Sequence, residues 1–286
     1  LTLFPLYHAA PAASYLLYAD LCGAGGVTIT EVGDGAVPEL AVHNPVSAPV
    51  LLVEGEILVG LKQNRVLTTS VLVPALASTL IPVACVEAGR WRHSYGAVRR
   101  DEYLLSPRVR AGKNRSVQRS MRAHAGPRAD QGAVWSGVDE RLVAHGIDSE
   151  TRAYSELHRG RGRDIGELVA ELRPRRGQRG VLAAVGGEVV CLDLFDRSTT
   201  LRRLWPSLVG SYAGDALVDS IEGLRPLTRA GVLAWLDDLA AAEASVHPAP
   251  GLGETVALTG DRVAATALVE AGSVVHLTAF PAGERR

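Results

Sequence analysis

Lysine is almost missing from this 286-residue chain: Lys62 and Lys113 are the only two, and arginine carries the rest of the positive charge. Cysteine occurs three times, at Cys22, Cys85 and Cys191, with no CxxC pair. That scatter excludes a disulfide framework and a structural zinc site, and it fits a reducing, cytoplasmic setting. The eight histidines form no HxH or HExxH pattern, so no transition-metal site is expected. No apolar run reaches the roughly eighteen residues of a membrane helix. The opening LTLFPLYHAAPAAS has no basic segment before an apolar one, so it does not read as a signal peptide. The chain starts at Leu1 rather than methionine, as a trimmed or partial chain would. A net charge of −1 leaves no global basic field for nucleic acid or a membrane surface, and neither is expected as a partner.

What is present is a soluble composition, 47% hydrophobic and 21% charged, enough for a sizeable core. Val27–Val32, Glu39–His43, Pro49–Val53, Ile57–Leu61, Val66–Val73 and Thr79–Glu87 read as strands, rich in Val, Ile, Leu and Thr and parted by regularly spaced turn residues. They predict a β-rich lobe at about residues 1–95, an antiparallel sandwich or barrel. Residues 99–132 are basic and without clean periodicity, which reads as a loop. From residue 133 to 286 the pattern is mixed. Helices are predicted at Gln131–His145, through Tyr154–Leu157 (capped by Asp148 or Ser149), Ile165–Leu172 (capped by Asp164), Thr199–Ala216 and Thr228–Ala244, with RGRGR at Arg159–Arg163 as an exposed turn. Gly186-Gly187 between apolar runs marks a β-hairpin over Gly180–Leu194. Val246–Gly253 reads as a Pro/Gly loop, followed by strands at Thr255–Thr259, Ala264–Glu270 and Val274–Phe280. Strands, then helices with a hairpin, then strands make an α+β chain and not a βαβ one.

Charge is oddest between Val53 and Trp91. Glu54 and Glu56 stand two apart in an apolar run, and on an extended strand they would share a face with Cα atoms roughly 6.6 Å apart, at about 3.3 Å per residue. Such a pair suits general acid and base work or a divalent cation. The plain alternative is a solvated strand face. Lys62, Gln63, Asn64 and Arg65 follow as a polar quartet able to recognise a ribose, an amide or a phosphate, or to make an ordinary hairpin loop. Glu87 ends the next apolar run, with Arg90, Trp91 and His93 beyond it. Arg and Trp can clamp a phosphate and stack a base, while a Glu–Arg salt bridge beside a packed indole is the bland version. Cys85 reads as core, since His93 is its only local histidine.

The segments VPELAVHNP, PVLLVEGEILVGLKQNRVLTTSVLVP and IPVACVEAGRW resemble a bacterial family, the first type of the proteins named for association with ADP-ribosylglycohydrolases and rhodanese-like phosphatases. Weaker matches continue in QGAVW, DLFD (Asp193–Asp196) and VVHLTAF, so the resemblance spans nearly the whole chain. It implies one unit over residues 1–286 and a role near NAD or ADP-ribose metabolism. Its motif falls on Glu56, Lys62, Gln63, Asn64, Arg65, Glu87, Arg90 and Trp91; Glu54 is added by strand geometry alone.

The expected function is therefore a hydrolase of an NAD-, ADP-ribose- or nucleotide-like small molecule, cleaving a glycosidic or phosphate linkage. Glu56 would activate water, Glu54 or Glu87 would be the second carboxylate, Gln63 and Asn64 would hold hydroxyls or an amide, Arg65 and Arg90 would pair phosphates, and Trp91 would stack a base. The residues name no certain cofactor; magnesium or manganese on the glutamates would make a phosphoesterase, and a metal-free hydrolase is the other case. A non-catalytic module that binds such a ligand or a partner enzyme is the alternative, and assembly as a homo-oligomer stays open.

Overall fold

The computed structural model describes residues 1–23, 26–33, 35, 38–91, 97–219 and 225–283. In chain order its elements begin with β1 (Thr2–Leu6), β2 (Leu16–Leu17), α1 (Tyr18–Leu21), β3 (Thr28–Glu31), β4 (Glu39–Asn44), β5 (Val50–Leu52), β6 (Ile57–Val59), β7 (Arg65–Leu67), β8 (Val71–Val73) and β9 (Ala77–Cys85). Next come β10 (Arg99–Arg100), α2 (Pro107–Arg122), α3 (Gln131–Ala144) and α4 (Ser155–Glu171). The hairpin of β11 (Gly180–Val185) and β12 (Glu188–Phe195) precedes α5 (Ser198–Ala216) and α6 (Arg229–Ala240). Strands β13 (Glu243–Pro248), β14 (Glu254–Thr259), β15 (Val263–Glu270) and β16 (Ser273–Pro281) complete an α+β fold.

Three sheets organise these strands. A seven-stranded antiparallel sheet runs β1-β11-β12-β16-β15-β14-β13, a six-stranded sheet runs β10-β6-β7-β9-β4-β3, and a small sheet joins β2, β5 and β8. The Gly186-Gly187 turn closes β11–β12 as expected: Val185 pairs Glu188, and both glycines have positive φ. The lobe boundary near residue 95 needs correcting. Strand β1 is antiparallel to β11, so the first residues belong to the sheet made by the last ones. Helix α5 is buried along most of its length. Leu201, Leu204, Leu208, Val209 and Tyr212 pack there with Phe195, Leu268 and Phe280 in one core cluster. Each such side chain contributes about 1.5–3 kcal/mol by leaving water.

The predicted basic loop at residues 99–132 is overturned by α2. Ser106 caps it by accepting from Val109 N at 3.4 Å, and Pro107 opens the first turn. Its inward face is Arg110, Lys113, Asn114, Val117, Gln118 and Met121, all buried and all at helical spacing. The period was present, but four of those six residues are polar, and an apolar-periodicity reading passes over them. RGRGR is also corrected: it is part of α4, not a turn. A Cβ on Gly160 would stand 2.5 Å from Ile147 Cδ1, so the glycine is there for close packing within a helix. Finally, α6 stops at Ala240, and Glu243–Pro248 is an edge strand where a helix end and a loop were expected. Pairing with β14 supplies its backbone partners, which local propensity does not show.

Candidate functional site

Glu54 and Glu56 do not lie on a strand. They flank Gly55 in the turn between β5 and β6, where Gly55 has φ +85° and Glu56 N donates to Val53 O at 3.1 Å. A Cβ at Gly55 would be 2.8 Å from Arg110 Nε, so glycine serves both the turn and the approach of that arginine. The turn sends the two carboxylates to different partners, and the shared-face geometry expected of them does not form.

Glu54 enters a closed polar network. Arg110 donates Nε to Glu54 Oε2 at 2.9 Å, Nη2 to Asp193 Oδ1 at 2.7 Å and Nη2 to Thr278 Oγ1 at 3.0 Å. Lys113 Nζ donates to Glu54 Oε1 and to the carbonyls of Leu67 and Thr68. Tyr212 OH donates to Asp193 Oδ2 at 2.5 Å, and His276 lies between Ser70 Oγ (2.7 Å) and Asp193 Oδ1 (3.3 Å). Glu54, Arg110, Lys113, Asp193, Tyr212 and His276 are each at most 1% exposed. Burial is the largest single influence and pushes the Glu54 and Asp193 carboxyls up, but Arg110 together with Lys113 at Glu54 and with His276 at Asp193 outweighs it. Both end below the usual carboxylate range.

Glu56 is equally buried. It accepts Val53 N at 2.9 Å and Arg100 Nε at 2.6 Å. Arg100 extends from there to Ser207 Oγ at 3.0 Å, while its Nη2 has no hydrogen-bond partner among the described residues. Neither glutamate faces a divalent-cation site. Each is bonded to protein cations, and among the described residues no group of three or more His, Cys, Asp or Glu side chains could hold a metal ion.

The polar quartet and the Glu87 segment do come together. Arg90 grips Glu87 with Nε to Oε1 at 2.9 Å and Nη2 to Oε2 at 2.7 Å, and reaches Leu61 O at 2.8 Å and Asn64 Oδ1 at 3.2 Å. Asn64 N donates to Glu87 Oε2 at 3.0 Å, and Asn64 Nδ2 donates to Ser155 Oγ at 3.2 Å. Burial pushes the Glu87 carboxyl up, yet the hydrogen bonds and charge of Arg90 and the Asn64 N–H hold it below its ordinary range. Gln63 Oε1 accepts Arg65 Nη1 at 3.3 Å, and Lys62 N donates to Glu31 Oε1 at 2.9 Å. Trp91, 52% exposed, has Lys62 Nζ at 5.7 Å and Arg65 Cζ at 5.8 Å from its ring centre. Cys85 is buried core, its thiol pushed up by desolvation, and His93 lies outside the described residues.

Asn64, Glu87 and Arg90 line a cavity of about 240 Å³, with Thr151, Ser155 and Arg159 on the facing side. A second cavity of about 370 Å³ adjoins it through Val59, Arg99, Ser155 and Arg159, and adds Arg100, Asp101, Glu102 and His158. The two form one open groove with guanidinium groups along its rim. Its second half escaped the sequence reading. His158 is a lone histidine just before the RGRGR run expected as an exposed turn, and Asp101 is one acid among arginines. The available cue was Ser155 and His158 at helical spacing, which is visible only once α4 is known to start at Ser155.

A family model, described as the ARG and Rhodanese-Phosphatase-superfamily-associated Protein domain, matches residues 1–280. No curated protein and no solved structure matches the chain.

Proposed function

The chain belongs to that family, and from this premise we propose that the groove binds an NAD-, ADP-ribose- or nucleotide-like small molecule and that the protein hydrolyses it. One observation carries the reading. Two separated family-like segments, with Asn64 in one and Glu87 and Arg90 in the other, meet at the same open groove as Arg99, Arg100 and Arg159. A rim of guanidinium groups suits phosphate oxygens, which they can meet with paired N–H donors. Asn64 acts through Ser155 by holding its hydroxyl, and Glu87 keeps Arg90 in place. Trp91, exposed beside Lys62 and Arg65 and outside the lining of the two cavities, offers an aromatic face for a base. Glu56 serves by fixing Arg100, and Glu54 belongs to the closed network behind the groove.

A binding module without turnover is the second reading. The saturation of Glu87 favours it, because Arg90 and the Asn64 N–H already engage both carboxylate oxygens. Mass spectrometry after incubation with NAD, nicotinamide mononucleotide, ADP-ribose and ADP-ribose phosphates, with and without a chelator, separates the two. The expected result is a product from the unaltered protein that is reduced in an Arg99→Ala/Arg159→Ala variant. Binding without product selects the module, and absence of both binding and product rejects the groove as a nucleotide site.

A further inference from the structure

We propose that His158 is the general base of a phosphoester- or phosphoanhydride-hydrolysing centre on the floor of the groove, with Asp101 as its positioning residue and water as the nucleophile. The proposal rests on the groove being the ligand site, and it names the chemistry performed there.

The geometry points this way from three sides. His158 Nδ1 is 3.0 Å from Asp101 Oδ1, and that oxygen also accepts Glu102 N at 2.7 Å, which fixes the carboxylate. The imidazole stands edge-on to Tyr103, with centroids 5.2 Å apart, and to Tyr154 at 4.9 Å, both at 90°. A ring gripped by one carboxylate and two aromatic walls is held in a single orientation. In the neutral ring Nδ1–H donates to Asp101, so Nε2 keeps its lone pair for a proton. This is a base-and-orienter arrangement, and it lines the larger cavity together with Arg99, Arg100 and Arg159. Two buried polar atoms there, Arg100 Nη2 and Asp101 Oδ2, lack hydrogen-bond partners among the described residues.

The chemistry balances without a redox partner. Water gives a proton to His158 Nε2 while its oxygen bonds to a phosphorus of the ligand. The bond from that phosphorus to the leaving oxygen breaks, and the imidazolium returns the proton to that oxygen. The net change is addition of water across one P–O bond. The guanidinium groups of Arg99, Arg100 and Arg159 face the charge that develops on the phosphoryl oxygens. Phosphoryl transfer fits better than glycoside cleavage because the groove offers an imidazole among guanidiniums. The two glutamates that could have formed a spaced carboxylate pair are bound elsewhere.

The test uses the full chain with ADP-ribose as probe, comparing the unaltered protein, His158→Ala, His158→Gln and Asp101→Asn. Turnover is followed by mass spectrometry, affinity by calorimetry and folding by thermal midpoint. Loss of a positioned general base lowers kcat by about 10²–10⁴-fold. That loss is expected in His158→Ala and His158→Gln with ADP-ribose affinity nearly unchanged. Added imidazole should restore turnover to His158→Ala, rising with the basicity of substituted imidazoles, because the vacated space lies between two tyrosine rings. Asp101→Asn should lower kcat with little change in KM. Retained turnover in both His158 variants, or loss that imidazole does not rescue in a folded, ADP-ribose-binding variant, would overturn the assignment while leaving the groove as the ligand site. Binding without turnover in the unaltered protein overturns the base assignment alone. Absence of both overturns the groove reading and the base with it.

Discussion

Two clusters of charge, about equally polar, behave in opposite ways in this protein. The network of Glu54, Arg110, Lys113 and Asp193 is closed, each charge answered by a charge of opposite sign, with His276 hydrogen-bonded to Asp193. The groove is open, with Arg99 and Arg159 exposed to water and polar atoms of Arg100 and Asp101 still unpaired among the described residues. A closed network specifies how α2 docks onto β12 and β16, because Arg110 can satisfy Glu54, Asp193 and Thr278 together in one position. An open one leaves charge for something outside the chain. The lesson is that buried charge alone does not mark a site. Saturation and access to solvent do.

The largest expected effect separates the clusters by stability. Arg110→Met leaves Glu54 and Asp193 buried without their arginine, and breaking such a pair costs about 3–5 kcal/mol. Urea unfolding should show that loss, and a change below about 1 kcal/mol would mean the network is not a structural clasp. The pH dependence comes next. Glu54 and Asp193 have folded pKa values below their unfolded ones, so their stabilisation is fully present above the ordinary carboxylate pKa of about 4 and is lost as pH falls through the folded values. Acid titration of the unfolding midpoint should show a steep decline below about pH 4 that persists in Arg159→Ala and flattens in Glu54→Gln. Glu87→Gln occupies the middle ground. It weakens charge-assisted bonds to Arg90 and Asn64 of about 1.5–3 kcal/mol, and it should lower both stability and ligand affinity by freeing Arg90. A stability loss with unaltered affinity would move Glu87 into the closed class. Smallest is Arg159→Ala, whose side chain is 74% exposed. Its unfolding free energy should change by no more than about 0.5 kcal/mol, while ADP-ribose affinity falls.

Strands β3 to β6 and β9, the Gly186-Gly187 hairpin and the last three strands were legible from their apolar runs, whereas Val66–Val73, expected as one strand, is β7 and β8 in different sheets, and β1, β2 and β10 were not expected as strands. Helix α2 was not legible, because its buried stripe is largely Arg110, Lys113, Asn114 and Gln118 and its partners lie at least 45 residues away in both directions along the chain. The site was legible by halves. Asn64, Glu87 and Arg90 stood out as polar residues ending apolar runs. Asp101 and His158 are 57 residues apart and carry no local signal. Glu54 and Glu56 drew attention for the right reason, the cost of charge in an apolar run, but the turn at Gly55 parted them.

Composition and patterning by themselves determined an α+β chain, its strand-rich ends, its hairpin and the family it resembles, since these depend on local periodicity and on residues adjacent in sequence. Only the tertiary structure decided which carboxylates are sealed against arginine and which face a groove. That choice depends on how strands and helices far apart in the chain pack, and on whether water can reach the charge once they have.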